Sequence, residues 1–251
     1  MGQNSVDDHR SSPVQVGSST DWRTTDNSIA CSGNLTMGIK TNGTLWGFGN
    51  SYGTMGSPGA SNRRSSPVQF SSDTTWSKIT IDRFNSCLAT KTDGTMWAWG
   101  SSLLASNGLN NDNNYWSPVQ MPGTDWGRNI SRSYIQGSAI KTDGTLWMWG
   151  DNRYGTLGQN SRTERSSPVQ IPGTTWSKAT HYNYHTVHAL KTDGTLWAWG
   201  ASLRGSLGLS GTPGVTPALE SRSSPVQIGT DTDWIDIKSV YYGVNALKSG
   251  T

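Results

Sequence analysis

Charged side chains make up only 15% of the 251 residues, and the formal net charge is just +3. That balance is too weak for the basic stripe of a nucleic-acid binder or for attraction to an acidic membrane surface, so nucleic acid is not an expected partner. No apolar run approaches the roughly 20 residues that a membrane helix needs, so membrane insertion is not expected either. The first residues, MGQNSVDDHR, lack the basic-then-apolar pattern of a secretory signal, and Val6 stands where a myristoylation signal wants Ser or Thr. Localisation stays open. Only two cysteines occur, Cys31 and Cys87, nine and four residues before the lysine of their own repeats. That offset fits poorly with disulfide geometry, so two free thiols are expected. A phosphate-cradling glycine loop, a G-x-S-x-G elbow and a pair of catalytic carboxylates are all missing. An enzyme is therefore not expected, and no cofactor is implied.

What the chain does contain is repetition, 13 tryptophans and 30 glycines. KTDGTLWAWG at 191–200 returns as KTDGTMWAWG at 91–100, KTDGTLWMWG at 141–150 and KTNGTLWGFG at 40–49, and a fifth copy begins at Lys248. Each is preceded by S-P-V-Q and by T-[DT]-W and followed by a Gly/Asn/Ser-rich linker. The period of about 50 residues indicates a propeller, a solenoid or an array. Repeat units fall at approximately 1–49, 50–100, 101–150, 151–200 and 201–251, read as one domain.

The pairs Asn42-Gly43, Asp93-Gly94, Asp143-Gly144 and Asp193-Gly194 read as two-residue type I′ hairpin turns between short strands. Alternation along the following strand puts Trp197 and Trp199 on one face. With the S-P-V-Q and T-x-W segments, each repeat has about four strands and no helical period. The prediction is an all-β propeller of five four-stranded blades. The tryptophans are read as core filler, each removing roughly 150–250 Å² from water. The residue two before the repeat lysine is always small (Gly38, Ala89, Ala139, Ala189, Ala246), which suits the crowded inner end of a blade. The start of the chain matches 157–170 and its last repeat stops before the tryptophans, so the last blade is expected to lack one strand. Three arrangements stay open: part of a larger propeller or array, a five-bladed ring one strand short, or an edge that accepts a strand from a partner or a second copy.

Copies such as HALKTDGTLWAWG and GTLGQNSRTERSSPVQIPGTTWSKAT resemble the repeats of the regulator of chromosome condensation family, in the version common in bacterial and bacteriophage proteins. The resemblance covers essentially the whole chain and implies a β-propeller, usually of seven blades where this chain has five repeats. Guanine-nucleotide exchange belongs to one eukaryotic branch, and no motif here carries it over. The G-W-R-H-T motif of the plant ultraviolet-B photoreceptor is reduced to WGR at 126–128.

The segment between the T-[DT]-W tryptophan and the lysine differs in every copy, on a scaffold that hardly changes. It carries Arg83, Phe84, Asn85, Arg132, Tyr134, His181, Tyr182, Tyr184, His185, Tyr241 and Tyr242. Aromatic, Arg, His and Asn side chains on a rigid scaffold are what binding surfaces enrich. These loops are expected to cluster on one face and to bind a protein partner without catalysis. Alternatives are a structural surface or virion component that self-associates through an open blade edge, and a lectin-like module that stacks a glycan on the aromatics. Asp93, Asp143 and Asp193 are read as turn residues. His181, His185 and His188 include no familiar metal set, and alternation separates His185 from His188, so no metal is expected. The arginines before S-P-V-Q (Arg63, Arg64, Arg162, Arg165, Arg204, Arg222) are read as a solvated rim.

Overall fold

The computed structural model describes residues 12–50, 54–55, 63–102, 106–133, 135–182, 185–202, 205–209, 221–240 and 243–250. Among them are eighteen strands and no α-helix. The chain forms two compact units, residues 1–102 with 113–124 and residues 103–112 with 125–251. The first unit holds two antiparallel sheets of four strands. One is β1 (Ile29–Cys31), β2 (Leu35–Ile39), β3 (Leu45–Asn50) and β4 (Arg63–Gln69); the other is β5 (Trp76–Ile81), β6 (Cys87–Lys91), β7 (Met96–Gly100) and β8 (Tyr115–Gln120). The second unit holds β9 (Trp126–Ser133), β10 (Gln136–Lys141), β11 (Leu146–Gly150) and β12 (Arg165–Gln170), then β13 (Trp176–Tyr182), β14 (Thr186–Lys191), β15 (Leu196–Gly200) and β16 (Arg222–Gln227). It ends with the pair β17 (Trp234–Val240) and β18 (Gly243–Lys248).

Each four-stranded sheet is a meander whose fourth, edge strand is the S-P-V-Q segment of the following repeat. Proline has no N–H to give a ladder, and an edge strand is where it is tolerated. Pro67, Pro118, Pro168 and Pro225 all sit there.

The repeated turn is not the two-residue type I′ hairpin that the Asp-Gly pairs suggest. Only the glycines have positive φ: 81° at Gly43, 80° at Gly94, 82° at Gly144 and 75° at Gly194. The Gly94 amide donates to the Lys91 carbonyl (3.1 Å), and the Lys91 amide donates to the Thr95 carbonyl (3.0 Å). This is a three-residue hairpin, a type I turn closed by a left-handed glycine. The aspartate works through its side chain instead. Asp93 Oδ1 accepts from the Thr95 amide (2.9 Å) and hydroxyl (2.7 Å), and Thr95 Oγ1 accepts from Trp97 Nε1 (2.9 Å). Asp143–Thr145–Trp147, Asp193–Thr195–Trp197 and Asn42–Thr44–Trp46 repeat the relay.

The relay aims the first tryptophan of W-x-W at the repeat lysine. Lys191 Nζ lies 4.0 Å from the Trp197 ring and 4.9 Å from Trp176. Lys91 sits likewise between Trp97 (4.2 Å) and Trp76 (4.9 Å), and Lys141 between Trp147 and Trp126. Each cation–π contact contributes about 0.5–1 kcal/mol at an exposed site. The two indoles meet edge to face, at 73° for Trp76–Trp97 and 78° for Trp176–Trp197. The small residue two before the lysine lies beneath them. Ala89 is the cross-strand partner of Trp97, Ala139 of Trp147 and Ala189 of Trp197. A Cβ on Gly38 would come within 3.1 Å of the Trp22 ring. Its smallness is thus imposed by the indoles.

Within each unit the sheets stack by one rule: an aliphatic face covers the tryptophan-bearing face of the next sheet. In the first unit Leu35, Met37, Ile39 and Leu45 pack on Trp76, Ile79, Ala89 and Trp99. In the second, Ile140, Leu146 and Met148 pack on Trp176, Ala179, Ala189 and Trp199, and Leu190 and Leu196 pack on Ile237. The turn glycine joins the same contact. The Gly43, Gly144 and Gly194 carbonyls accept from the Trp76, Trp176 and Trp234 amides at 3.0–3.2 Å.

A Cβ at Gly194 would lie 1.9 Å from the Thr232 carbonyl oxygen, at a φ of +75°. Gly205 has almost the same φ, +74°, with nothing within 4 Å of its would-be Cβ. Gly194→Ala is therefore expected to cost about 3 kcal/mol or more, and Gly205→Ala about 1–2 kcal/mol. Urea unfolding of the two variants measures the difference, and equal losses would show that the close approach to the next sheet does not matter.

Candidate functional site

The variable segments span the hairpins that join the first strand of each sheet to the second. Arg132 lies within β9, and His181 and Tyr182 within β13, rather than in the loops where the sequence put them. The hairpins therefore leave each sheet at the same end. The backbone solution recurs: Asn85 in the β5–β6 loop has φ 62° and His185 in the β13–β14 loop has φ 58°. Their carbonyls face the closing glycine of W-x-W-G, where a Cβ would lie 2.5 Å from the Asn85 oxygen at Gly100 and 2.1 Å from the His185 oxygen at Gly200. Those glycines have positive φ and mark a register shift in the sheet, a β-bulge that presses the third strand onto the loop.

In the first unit Arg83 and Phe84 form the loop tip. Phe84 is 46% exposed, and the Arg83 guanidinium lies 5.1 Å from its ring centre. Buried Asp82 shapes the tip, its Oδ1 accepting from the Phe84 (2.8 Å) and Ser86 (3.0 Å) amides. Asn85 points inward and is buried, accepting from Ser32 Oγ through its side chain and from Thr54 Oγ1 (2.8 Å) through its carbonyl.

In the second unit Arg132 and His181 are also buried. Arg132 Nη1 donates to the Ser106 carbonyl at 2.7 Å, and Trp149 Nε1 donates to the same oxygen at 3.0 Å. His181 Nε2 lies 3.0 Å from Ser138 Oγ. Its pKa falls from 6.5 to about 4, chiefly because burial disfavours the cation, with the Arg132 charge adding to this and a backbone hydrogen bond at Ser131 opposing it. His188 is a second buried imidazole, its Nε2 donating to the Ser206 carbonyl at 3.0 Å; burial also lowers its pKa to about 4. Tyr182 ends β13 by its backbone. Tyr134, Tyr184, Tyr241 and Tyr242 lie outside the described residues.

His185 is held differently. Its Nδ1 lies 2.9 Å from Asp151 Oδ2, and its ring packs at a 39° tilt against Tyr154 with centroids 4.8 Å apart. Asp151 is fully buried, and its Oδ1 accepts from Arg153 Nε at 2.7 Å. Burial raises the Asp151 pKa, but the hydrogen bonds from His185 and Arg153 outweigh it and bring the carboxyl to about 2. Both carboxylate oxygens are thus engaged, and Asp151 orients His185 and Arg153. Arg153 keeps 57% of its side chain exposed. Sequence reasoning reached His185 and missed Asp151, Arg153 and Tyr154, which lie in a linker that reads as spacer. One signal was available. Asp151 is the only carboxylate directly after a W-x-[WF]-G, where the other copies have Asn50, Ser101 and Ala201. Among the described residues no three His, Cys, Asp or Glu are arranged to hold a metal ion. Cys31 is exposed and Cys87 buried, both as free thiols.

Four-stranded meanders that stack tryptophan face on aliphatic face, with divergent loops at one end, define a β-propeller repeat protein. The regulator of chromosome condensation (RCC1) repeat matches residues 143–187, and the same motif recurs along the chain. Residues 143–187 thus form one RCC1-type repeat of the chain. No curated protein sequence matches it. Among solved structures it is similar to human WBSCR16, with 19% identity, a TM-score of 0.68, 91% of this chain and 60% of that one covered. It is similar also to yeast RCC1 (Prp20) bound to Kap60, with 16% identity, TM-score 0.69 and coverages of 88% and 54%. Saccharomyces cerevisiae Prp20p, described with its binding to Gsp1p and histones, gives 15%, 0.65, 86% and 54%. The shared property is the RCC1 β-propeller fold, and the chain spans just over half the length of these proteins.

The two buried neutral imidazoles make stability depend on pH. The unfolded chain binds protons at His181 and His188 near pH 6.5, whereas the folded chain does so only near pH 4. Stability is complete above about 6.5 and falls as pH drops towards 4, by about 3 kcal/mol per histidine. His188→Asn, which uses the residue of the fifth repeat at that place (Asn245), should remove about half of that loss. Urea unfolding at pH 7 and pH 4.5 tests this, and an unchanged pH dependence in the variant would refute it.

Proposed function

We propose that the chain is a non-catalytic recognition scaffold that binds a protein partner through the loops between the first and second strands of its sheets. The observation that carries this reading is the contrast at two equivalent loops. Positions 85 and 185 share one left-handed backbone, while the exposed side chains differ. The first unit offers Arg83 on Phe84 in the loop itself, and the second offers exposed Arg153 and half-buried Tyr154, from the linker after β11, beside His185. Arginine and aromatic side chains on a rigid frame supply contact area and directional hydrogen bonds at small entropic cost. Asn85, Arg132 and His181 shape these loops from inside, and Tyr134, Tyr182, Tyr184, Tyr241 and Tyr242 belong to the same segments. Yeast RCC1 (Prp20) is bound to Kap60 and has binding properties to Gsp1p and histones, which supports a protein as the partner class.

The test immobilises the chain and quantifies the proteins it retains from an extract of its source. Arg83→Ala with Phe84→Ala, and separately Arg153→Ala with Tyr154→Ala, should lower retention of a bound protein at least tenfold while leaving the melting temperature within about 2 °C. Retention equal to that of the unaltered chain in both variants would sink the proposal.

A further inference from the structure

Among the described residues, two sheet faces leave the stacking rule unfulfilled. In β1, Ile29 is the cross-strand partner of Gly38, as Ile79 is of Ala89, Ala179 of Ala189 and Ile237 of Ala246. Ile79, Ala179 and Ile237 are 0%, 2% and 1% exposed, whereas Ile29 is 55% exposed. Around it a cavity of about 270 Å³ opens, lined by Trp22, Thr36, Gly38 and Phe48 among others. Trp22 and Phe48 occupy the positions of Trp76 and Trp99, which are 2% and 1% exposed. Among the described residues the tryptophan-type face of the first sheet is therefore partly open, with Gln15, Val16 and Ser19 also lining the cavity.

The second place is the aliphatic face of β17 and β18. Leu247, directly before the repeat lysine, is 58% exposed, whereas Ile39, Ile140 and Leu190 at that position are 0%, 0% and 2% exposed. Cross-strand register puts Val240, 41% exposed, on the same face as Leu247. The chain shows what covers such faces. Ile39 shares a core cluster with Ile79, Ile140 with Ala179, and Leu190 with Ile237. At three junctions, then, the residue before the lysine packs against the β-strand residue equivalent to Ile29.

We infer that two copies of this chain associate head to tail, the Leu247 face of one packing on the Ile29 face of the other. The two halves are different surfaces, so the contact is heterologous: each copy brings one head and one tail. It repeats, between chains, the junction used between sheets within each unit, with Leu247 entering the cavity beside Trp22 and Phe48. The apolar faces are thereby removed from water, which is what drives the corresponding junctions inside the chain.

Light scattering on the full chain, with Ile29→Asp and Leu247→Asp variants, tests this. Both positions are exposed in the single chain, so near-ultraviolet circular dichroism should show each variant folded. The unaltered chain should give a mass of two chains or more, and each variant alone should give one. An equimolar mixture of the two variants should form a 1:1 dimer, because each retains the half the other has lost. A monomeric unaltered chain, or a mixture that stays monomeric, would overturn the inference. So would a variant that still associates with itself, since that would place the contact elsewhere.

Discussion

Everything in these sheets hangs on how one indole is held. A tryptophan on a short strand could rotate about χ1 and χ2, and a core of loose indoles would not place a neighbouring sheet. The relay removes that freedom by giving the Trp97-type Nε1–H a fixed acceptor, the hydroxyl of the threonine two residues earlier, itself fixed by the turn aspartate. The lysine then lies over two indoles at once. Hydrogen bonds from the turn threonines hold the Asp93, Asp143 and Asp193 carboxyls below their ordinary pKa, so the anchor is charged at any physiological pH. Eight of the ten letters in K-T-D-G-T-L-W-x-W-G thus have an assigned contact, all but the first threonine and x, which is why the motif can return almost unaltered.

The loops face the opposite demand. They leave the sheet end beside an apolar stack, yet carry Arg, His, Asp and Asn. The structure resolves this by burying polar groups against loop backbone. Arg132 and Trp149 share the Ser106 carbonyl, Trp199 uses the carbonyl of Thr156, and His188 that of Ser206. Ser106, Thr156 and Ser206 are the same linker position in successive repeats. Buried donors that find backbone acceptors cost little, so a variable segment can turn inward at one residue and outward at the next. Buried Asn85 beside exposed Phe84 is the case.

The sequence alone determined the repeat, its all-β character and the tryptophan core, because period, alternation and turn residues are local properties of the chain. It misled at the turn. Asp-Gly in isolation signals positive φ at both residues, but aspartate side-chain bonds to Thr95 and its counterparts select a type I turn in which glycine alone is left-handed. It also presented Asn85, Arg132 and His181 as equals of Phe84, since polarity does not tell which way a residue points or where a strand ends; Arg132 and His181 lie within β9 and β13. Only the tertiary structure decided that. The acceptors of Arg132 lie 26 residues away, and the carboxylate that orients His185 lies 34 residues away in a linker. Burial and pairing over such separations depend on how strands stack, which no local pattern records.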